Sequence, residues 1–339
     1  MKKNRKTKKT KKRTSTLVIL FIVFELVFTA VTGPYMLYYG PFKNAKTTVV
    51  GAAMTTLTLQ WLAKAFLSDA KIKEIMKEQS VETVAQANLD DKTSGVKVEN
   101  KDDDSIERYD ITGKKYKGYV LIISDPTRIK VGYSSKLGVE GELTSEIAKA
   151  NNAVAAINGG AFTDKAVDVE WAGTGANPTG IIMTNGKTEF SDIKNENKRT
   201  EVVALTKEGK LLVGLHSITE MEKVGVTEAL SFGPAMIVNG KKMINSGEGG
   251  MGIAPRTAIA QRQDGAIILL VIDGRQVNSI GATLREVQDI LYDEYGAVNA
   301  TNLDGGSSAT MFYNDEVINN PSDSLGERAI PSIMYVESR

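Results

Sequence analysis

A strongly basic segment followed by an uninterrupted apolar run opens the chain, and this pair of features constrains its fold more than any other. Nine of the first 13 residues are Lys or Arg, and none of them is acidic. Residues 16–39 are largely apolar, and about 20 such residues are enough for a helix to cross a bilayer. The sequence therefore predicts a basic flank over residues 1–15, a transmembrane signal anchor over residues 16–39, and a separate folded part after it.

The distribution of charge around the apolar run predicts its orientation. Cytoplasmic flanks of membrane helices carry an excess of Lys and Arg, so the basic flank is predicted to be cytoplasmic and the chain after Gly40 extracellular. A cleaved signal peptide is the alternative, with a shorter apolar core and a small-residue cleavage site. Here the run continues from Pro34 to Tyr39 with aromatic residues that are typical of a membrane interface. We therefore expect a retained anchor in the cell membrane.

The charge of the rest of the chain argues against a nucleic-acid partner. Beyond the first 13 residues there are 33 basic and 41 acidic side chains, a net charge of −8. Nucleic-acid binding needs a basic surface, and the only basic block is the predicted cytoplasmic flank. No nucleic-acid partner is expected.

Two residue types restrict the chemistry. The chain has no cysteine and a single histidine, His216. Thiol catalysis, cysteine-ligated zinc, histidine-dependent triads and histidine-clustered metal sites are therefore excluded. Without disulfides, an extracellular domain must be held by its core, and the roughly 230 residues after Ile106 are enough for a substantial core.

Residues 40–105 are predicted to form a membrane-proximal helical segment and a polar linker. Residues 47–79 are predicted to be helical, with an apolar face that includes Val50, Trp61 and Phe66. That face could lie on the membrane, pack on the chain's own domain, or pack on a second copy in a homo-oligomer. Residues 86–107 are polar and charged, which is typical of a solvated linker or loop.

The remaining residues, 106–339, are dominated by strand patterns. Two Asn-Gly turns, at Asn185 and Asn239, predict hairpins. A helix is predicted over residues 284–295, with Thr283 and Glu286 as its capping box, and a second over residues 144–149. We expect an α+β domain with a mixed, largely antiparallel sheet and few helices. The strands are predicted at residues 118–124, 130–133, 153–158, 180–184, 202–206, 211–215, 235–238, 257–261 and 266–273.

Residues 301–310 carry the strongest candidate for a functional turn. Asp304 lies between a strand-like approach and the glycines Gly305 and Gly306, and Ser307 and Ser308 follow. Glycines allow backbone N–H groups to approach a ligand closely, and short hydroxyl side chains suit phosphate or sugar oxygens. A tight turn with a local Asp hydrogen bond is the alternative interpretation.

Other glycine-bearing turns recur upstream and predict one site assembled from strand ends. The upstream turns are residues 156–162, 231–234, 255–259 and 271–275. With these residues in view, the chain from about Tyr109 to its C-terminus resembles the phosphodiester glycosidase family. The resemblance rests on the order and content of five motifs and extends to residues 283–286 and 320–328.

The resemblance implies a hydrolase acting on a sugar 1-phosphodiester, which needs a cation for the phosphate and carboxylates near the anomeric carbon. Arg256 and Arg328 are the candidate phosphate ligands, because a planar guanidinium suits bidentate recognition, and Arg275 ranks third. Asp304 and Asp273 both follow apolar strands. We assign Asp304 the role of base or nucleophile and Asp273 the supporting or acid role, although the sequence leaves the order open.

The other predicted contacts are with sugar hydroxyls or phosphate oxygens. Asn158 would supply its amide, and Gly159 and Gly160 would allow close approach of the backbone. The 305–308 turn, formed by Gly305, Gly306, Ser307 and Ser308, would surround the substrate on the other side. No cofactor is required, although an oxygen-ligand Mg²⁺ or Ca²⁺ site at Asp273 and Asp304 stays open.

The sequence thus predicts a membrane-anchored extracellular hydrolase that cleaves the sugar–phosphate bond in a cell-wall, capsular or exopolysaccharide glycan. Two alternatives remain open. One is a divalent-metal phosphoesterase that uses the same carboxylates, and it predicts loss of activity with a chelator. The other is a non-catalytic glycan-binding or assembly protein, and it predicts saturable binding without turnover.

Overall fold

The computed structural model describes residues 3–54, 59–79, 81, 84–86, 95–163 and 173–339, apart from the side chains of residues 3–15. The first helix, α1 (Lys3–Tyr39), contains the apolar run. Its 24-residue stretch Thr16–Tyr39 is long and apolar enough to cross a membrane, by length and composition.

The segment predicted as one helix over residues 47–79 contains three. They are α2 (Lys43–Met54), α3 (Trp61–Lys64) and α4 (Asp69–Gln79). Prediction of a single helix was wrong because Ser68 starts a new one, accepting a hydrogen bond on its Oγ from Lys71 N at 3.4 Å. The three helices and the end of α1 share a small core in which the Tyr38 ring stacks on Phe66 at 4.8 Å.

The polar segment before the first strand is less solvated than its composition predicts. Gln86 is buried, and its side chain accepts from Val213 N at 2.9 Å. Val96 is also buried, and Lys97 N donates to Gln263 O at 2.8 Å. The part of the linker prediction that falls on residues 87–94 lies outside the described residues.

The predicted α+β fold with largely antiparallel sheets is confirmed. Among the described residues, every strand pair within the sheets is antiparallel. A seven-stranded sheet is formed by β1 (Ile106–Thr112), β2 (Lys117–Ile123), β15 (Ile267–Ile272), β14 (Arg256–Arg262), β16 (Ala297–Leu303), β12 (Ala235–Val238) and β13 (Lys241–Lys242), in that spatial order.

Two five-stranded sheets and one short hairpin complete the architecture. One sheet has the order β10 (Leu211–His216), β9 (Thr200–Thr206), β11 (Val226–Leu230), β7 (Ile181–Thr184) and β8 (Lys187–Ser191). The other has the order β18 (Glu316–Val317), β17 (Met311–Tyr313), β4 (Ala153–Asn158), β19 (Ser332–Glu337) and β3 (Ile129–Tyr133). The hairpin pairs β5 (Phe162–Thr163) with β6 (Asn177–Pro178).

Three short helices lie around the sheets, α5 (Thr144–Ala150), α6 (Ile218–Lys223) and α7 (Leu284–Asp289), and α7 continues as a π-helix over Ile290–Glu294. Its predicted capping box is confirmed: Thr283 Oγ1 accepts from Glu286 N at 3.2 Å, and Glu286 Oε2 accepts from Thr283 N at 2.8 Å. Short 3₁₀ turns occur at Pro126–Arg128 and Gly306–Ser308.

One face of the seven-stranded sheet packs on the two other sheets, and the opposite face packs beneath α7. Val271, Ile259 and Leu303 belong to the first core, whereas Ile272, Ala258 and Ala300 belong to the second. Alternation of side chains along each strand produces this division. The β14, β15 and β16 strands are therefore buried on both faces and fix the ends from which the candidate site is built.

Candidate active site

The candidate site lies where three central strands meet. β14 pairs antiparallel with both β15 and β16, so the start of β14 at Arg256 lies beside the ends of β15 and β16. Asp273 follows β15, and Asp304 follows β16. The register places Thr257 opposite Leu303, so Arg256 and Asp304 are neighbours at this edge of the sheet.

Asn158, at the end of β4, links these elements through its side chain. Its Nδ2 donates to the Asp304 main-chain oxygen at 2.6 Å, and its Oδ1 accepts from Thr257 Oγ1 at 2.7 Å. Oδ1 also accepts from Thr310 N at 3.1 Å. Asn158 is fully buried. These contacts bring Asn158 and Asp304 together, and they use the Asn158 amide to hold the protein backbone in place.

The two predicted glycine pairs allow the close approach of main-chain segments. Gly159 N donates to Ser332 O at 2.9 Å, and a Cβ on Gly159 would lie 2.6 Å from that oxygen. Gly160 N donates to Ser332 Oγ at 3.2 Å. On the other side, Gly306 N donates to Pro255 O at 3.0 Å. A Cβ on Gly305 would lie 2.7 Å from the same carbonyl, so side chains at these positions would displace the turn.

Two arginines and Asp304 form the charged part of the site. The guanidinium of Arg275 packs against Gly306, where an added Cβ would lie 3.0 Å from Nη2. Burial lowers the pKa of the Arg275 guanidinium, the charge of Asp304 raises this pKa, and Arg328 lowers it. Arg275 is therefore close enough to both residues to feel their charges.

Arg328 approaches the same turn from the C-terminal side. Its Nη1 donates to Ser307 Oγ at 3.1 Å, and its guanidinium lies 5.2 Å from the centre of the Phe162 ring. Ser322 Oγ donates to Gly306 O at 3.3 Å. Ser308, next to Ser307, is buried, and its main-chain N–H donates to Gly305 O at 3.2 Å. The 305–308 turn is thus bordered by two guanidinium groups.

Arg275, which ranked third among the arginines from the sequence, has an unusual backbone conformation. It adopts a left-handed backbone conformation with φ of 59°, which is uncommon for a residue with a side chain. Non-glycine residues in this region store strain and cluster at functional sites. The signal that could have promoted it is its place one residue after Gly274, in the same turn as Asp273.

Arg256 has a different environment from the other two arginines. Its Nη2 donates to the carbonyls of Met251 and Gly252 at 2.9 and 2.6 Å, and its Nε donates to Ala282 O at 3.0 Å. Complete burial lowers the pKa of the Arg256 guanidinium to about 10, while the charge of Glu248 opposes this shift. Arg256 therefore organises the loop around residues 251–252.

Asp273 is held by the segment that leads to Arg328. Its Oδ1 accepts from Asn319 Nδ2 and from Asn320 N, both at 3.0 Å. Only 3% of Asp273 is exposed. Burial raises the pKa of its carboxyl, and the bonds from Asn319 and Asn320 lower it in part. Ile272 and Leu303, the last residues of β15 and β16, pack in opposite cores, and Asp273 and Asp304 follow these two residues.

Glu327 and Gly175 make contacts that hold the backbone near Arg328. The Glu327 carboxylate accepts from Ser145 N at 2.9 Å and from Ser145 Oγ at 2.5 Å, at the start of α5. Gly175, in the 174–180 loop, lies against Ala329, where an added Cβ would overlap the carbonyl. Both contacts fix the backbone that flanks Arg328.

Helix α2 contacts the loop that Arg256 organises. Thr48 Oγ1 donates to Glu248 Oε2 at 2.6 Å. A Cβ on Gly51 would lie 3.0 Å from both Gly250 O and Gly252 N, so the helix and the loop are in direct contact. Of the three alternatives left open for this segment, α2 shows packing on the chain's own domain.

Two further features lie outside the motifs of the candidate site. His216, at the end of β10, is buried. A cavity of about 910 Å³ is bordered by Tyr109, Arg262 and Tyr295, near the opposite end of β14 from Arg256. Within the described ranges there is no group of three or more His, Cys, Asp or Glu side chains that could hold a metal ion.

Comparisons with known proteins agree with this architecture. The family profile of the phosphodiester glycosidases matches residues 151–337. The structure is similar to that of the zebrafish N-acetylglucosamine-1-phosphodiester alpha-N-acetylglucosaminidase catalytic domain, auto-inhibited by its pro-peptide, with a TM-score of 0.56 and 23% identity. The similarity covers 77% of this chain and 88% of the zebrafish one, and at this identity it shows a shared fold.

Curated relatives match over shorter stretches. The bovine N-acetylglucosamine-1-phosphodiester alpha-N-acetylglucosaminidase is 28% identical over 171 residues, which are 49% of this chain and 29% of the bovine protein. The SPbeta prophage-derived uncharacterized protein YomE of Bacillus subtilis (strain 168) is 41% identical over 82 residues, 24% of this chain and 12% of YomE. The chain thus matches less than a third of either relative's length.

The strand-end site and the family match together define the class: the chain belongs to the phosphodiester glycosidase family. The resemblance predicted from the five sequence motifs is confirmed. This family comprises hydrolases of glycosyl phosphodiesters.

Proposed function

We propose that this protein hydrolyses a sugar 1-phosphodiester at the bond between the anomeric carbon and the phosphate oxygen. The observation that carries the proposal is the arrangement of Asp304 with Arg275 and Arg328 around the 305–308 turn. A carboxylate beside two guanidinium groups supplies both a base and a binding site for a phosphodiester anion. The relatives named for N-acetylglucosamine-1-phosphodiester hydrolysis support the same substrate class.

In the proposed mechanism, Arg275 and Arg328 bind the non-bridging phosphate oxygens, with Ser307 and Ser308 beside them. Planar guanidinium groups form paired hydrogen bonds with such oxygens. Asp304 takes a proton from water as the water oxygen bonds to the anomeric carbon, and the carbon–oxygen bond to phosphate breaks. The electron pair of that bond leaves with the phosphomonoester. Because the leaving group is already an anion stabilised by two arginines, it needs no protonation by a second acid.

The remaining predicted site residues act as supports in this proposal. Asn158 and Arg256 direct their hydrogen bonds to the protein backbone, so they position Asp304 and the 251–252 loop. Asp273 takes the supporting role of the two that its sequence allowed, because it holds Asn319 and Asn320 ahead of Arg328. Gly159 and Gly160 let β4 approach Ser332.

The proposed setting is a cell membrane, with α1 as the anchor, residues 40–105 as the membrane-proximal part and residues 106–339 as an extracellular catalytic domain. The support is the candidate span Thr16–Tyr39 with its basic flank. A phosphate-linked cell-wall, capsular or exopolysaccharide glycan is the proposed substrate. Association of two copies through residues 47–79 remains part of the proposal.

The decisive experiment is hydrolysis of a panel of sugar 1-phosphodiesters by the full chain in detergent micelles, with free reducing sugar and free alcohol detected separately. We expect reducing sugar and a phosphomonoester, lost in Asp304→Asn and retained in the control Asp315→Asn, which alters an exposed turn. Hydrolysis in ¹⁸O-labelled water should label the sugar. Label in the phosphate, or inhibition by a chelator, would favour the metal phosphoesterase, and binding without turnover would favour a glycan-binding protein.

A further inference from the structure

The 231–234 turn, which consists of Ser231, Phe232, Gly233 and Pro234, is a sequence motif that the phosphate chemistry does not use. Gly233 lies between two side chains that carry buried oxygen atoms, Glu201 on β9 and Asn302 on β16. Among the described residues, neither Glu201 Oε1 nor Asn302 Oδ1 has a hydrogen-bond donor. Buried polar atoms normally have partners, so two such acceptors beside one turn call for an explanation.

Asn302 is fixed in a defined orientation. Only 2% of the residue is exposed, and its Nδ2 donates to Gly233 O at 3.2 Å. The same Nδ2 lies 3.9 Å from Met251 Sδ. With the amide nitrogen held in this way, Oδ1 is the acceptor of this side chain that has no donor.

Glu201 contacts the other side of the same glycine. A Cβ on Gly233 would overlap the Glu201 carboxyl group, so this carboxyl lies directly against the glycine. Burial raises the pKa of the Glu201 carboxyl. A donor group from a ligand would stabilise the charged form of this carboxyl.

Both acceptors lie close to the proposed catalytic residue. Asn302 lies in the last two residues of β16, and Asp304 follows this strand. Asp304 N also donates to Gly159 O at 3.3 Å, and Ala161 N donates to Ser231 O at 3.1 Å, so the 231–234 turn borders the same strand ends. Asn302 is therefore two residues from Asp304 in the chain, and Gly233 links it to Glu201.

We propose that Glu201 and Asn302 form a sugar-recognition subsite that accepts hydrogen bonds from hydroxyl or amide N–H groups of the glycosyl unit whose anomeric carbon lies at Asp304. The proposal rests on the proposed function for the identity of the substrate. It divides the site into an arginine side for the phosphate and an acceptor side for the sugar. Sugar hydroxyls are donors as well as acceptors, so this chemistry suits the ring rather than the phosphate.

The test uses the full chain in micelles with methyl phosphodiesters of N-acetylglucosamine, glucose and galactose, and with the single deoxy analogues of whichever parent reacts best. A site built to bind a hydroxyl rejects an analogue that lacks it. For one deoxy position we expect kcat/KM of the wild type to fall about 100-fold. Glu201→Ala should lower kcat/KM for the parent by a similar factor. This variant should then hydrolyse the parent and that deoxy analogue with the same kcat/KM.

Two additional variants keep the result independent of folding. Glu201→Gln preserves the shape of the side chain and should lose about tenfold in kcat/KM with an unchanged melting temperature, because it removes the charge and replaces one acceptor oxygen by an amide donor. Glu222→Ala removes an exposed glutamate on α6 and should behave like the wild type. If Glu201→Ala discriminates against every deoxy analogue as strongly as the wild type does, the loss from the mutation and the loss from the missing hydroxyl are independent. That result would overturn the subsite.

A binding arm separates this proposal from the proposed function. Asp304→Asn protein is titrated with the same phosphodiesters and with methyl phosphate, which lacks a sugar. If no phosphodiester is hydrolysed by the wild type but sugar binding still depends on Glu201, the catalytic proposal fails and the subsite stands. Equal affinity for parent and all deoxy analogues, or no saturable binding of any sugar at millimolar concentration, overturns the subsite.

Discussion

The side chain of Asn158 donates a hydrogen bond of 2.6 Å to the main-chain oxygen of Asp304. This bond joins β4 to the end of β16 across two sheets, and the other end of the amide accepts from Thr257 and Thr310. The position of the proposed catalytic carboxylate thus depends on one fully buried amide.

Asn158→Asp replaces the donor by an acceptor that faces the Asp304 carbonyl. We expect the free energy of unfolding to fall by about 2–4 kcal/mol, because a buried network loses a donor and gains an unpaired charge. Urea unfolding measures the change. Asn152→Asp, in an exposed turn, is the matched control and should be nearly neutral. Equal stability of the two variants would contradict the role given to Asn158.

Arg275→Lys should separate charge from geometry at the proposed phosphate site. Lysine keeps the positive charge but loses the paired N–H groups, so kcat/KM should fall about 100-fold while the melting temperature changes little. The control is Arg285→Lys, an exposed arginine on α7.

Arg256→Lys should mainly lower stability, in contrast to Arg275→Lys, which should mainly lower kcat/KM. The Arg256 guanidinium bonds to three backbone carbonyls, so we expect a loss of about 3 kcal/mol in unfolding free energy before any specific effect on phosphate binding. Competition by inorganic phosphate distinguishes the two arginines. An Arg275→Lys protein that retains the wild-type inhibition constant would exclude it from the phosphate site.

His216 should make stability depend on pH below neutrality. Burial lowers the pKa of this imidazole below its usual 6.5. Between 6.5 and the lowered value the unfolded chain binds the proton and the folded chain does not, so stability falls as pH falls through this window. His216→Gln, which does not titrate, should lose less stability between pH 7.5 and 5.5 in urea unfolding. Parallel pH profiles for the two proteins would argue against this assignment.

The contact of α2 with the 250–252 loop predicts that Gly51 affects the site. Gly51→Val would place a branched side chain 3.0 Å from two backbone atoms of that loop, and we expect kcat/KM to fall about 10- to 100-fold through displacement of Arg256. Ala45→Val introduces the same side chain at an exposed position of α2. If both variants are fully active, α2 does not position the site.

The proposed topology can be tested by cysteine labelling, since the chain has no native cysteine. Val139→Cys, at a position that is 76% exposed, should react with a membrane-impermeant maleimide on intact cells. Lys8→Cys in the basic flank should react only after permeabilisation, because that flank is predicted to be cytoplasmic. The reverse labelling pattern would overturn the orientation.

Local sequence patterns predicted the strands well where apolar and polar side chains alternate, and they predicted the start of α7 well from its capping residues. All nine predicted strands exist, with ends displaced by up to two residues, and the Thr283–Glu286 capping box forms as expected. Strands such as β11 and β19 were not predicted. They acquire their strand identity by pairing with distant partners, β9 and β4, and that information is not local.

The roles within the site were harder to infer than its location. The motif residues Asn158, Arg256, Asp273 and Asp304 do lie at adjoining strand ends, as their order along the chain indicated. The sequence could not show that Arg256 is turned toward backbone carbonyls while Arg275 faces the turn after Asp304. That difference depends on the path of the 248–254 loop and on α2, both distant from Asp304 in sequence.

The docking of α2 also determines where the proposed site would lie relative to a membrane. Helix α2 begins after only three residues beyond the end of α1, and its 12 residues span about 18 Å. The site is thus connected to α1 through a docked helix, without a long linker between them. With α1 as a membrane anchor, the site would lie at a fixed height above the end of α1. Only glycans whose scissile bond lies at that height would reach the site, so substrates would be selected by the length of glycan between the membrane and that bond.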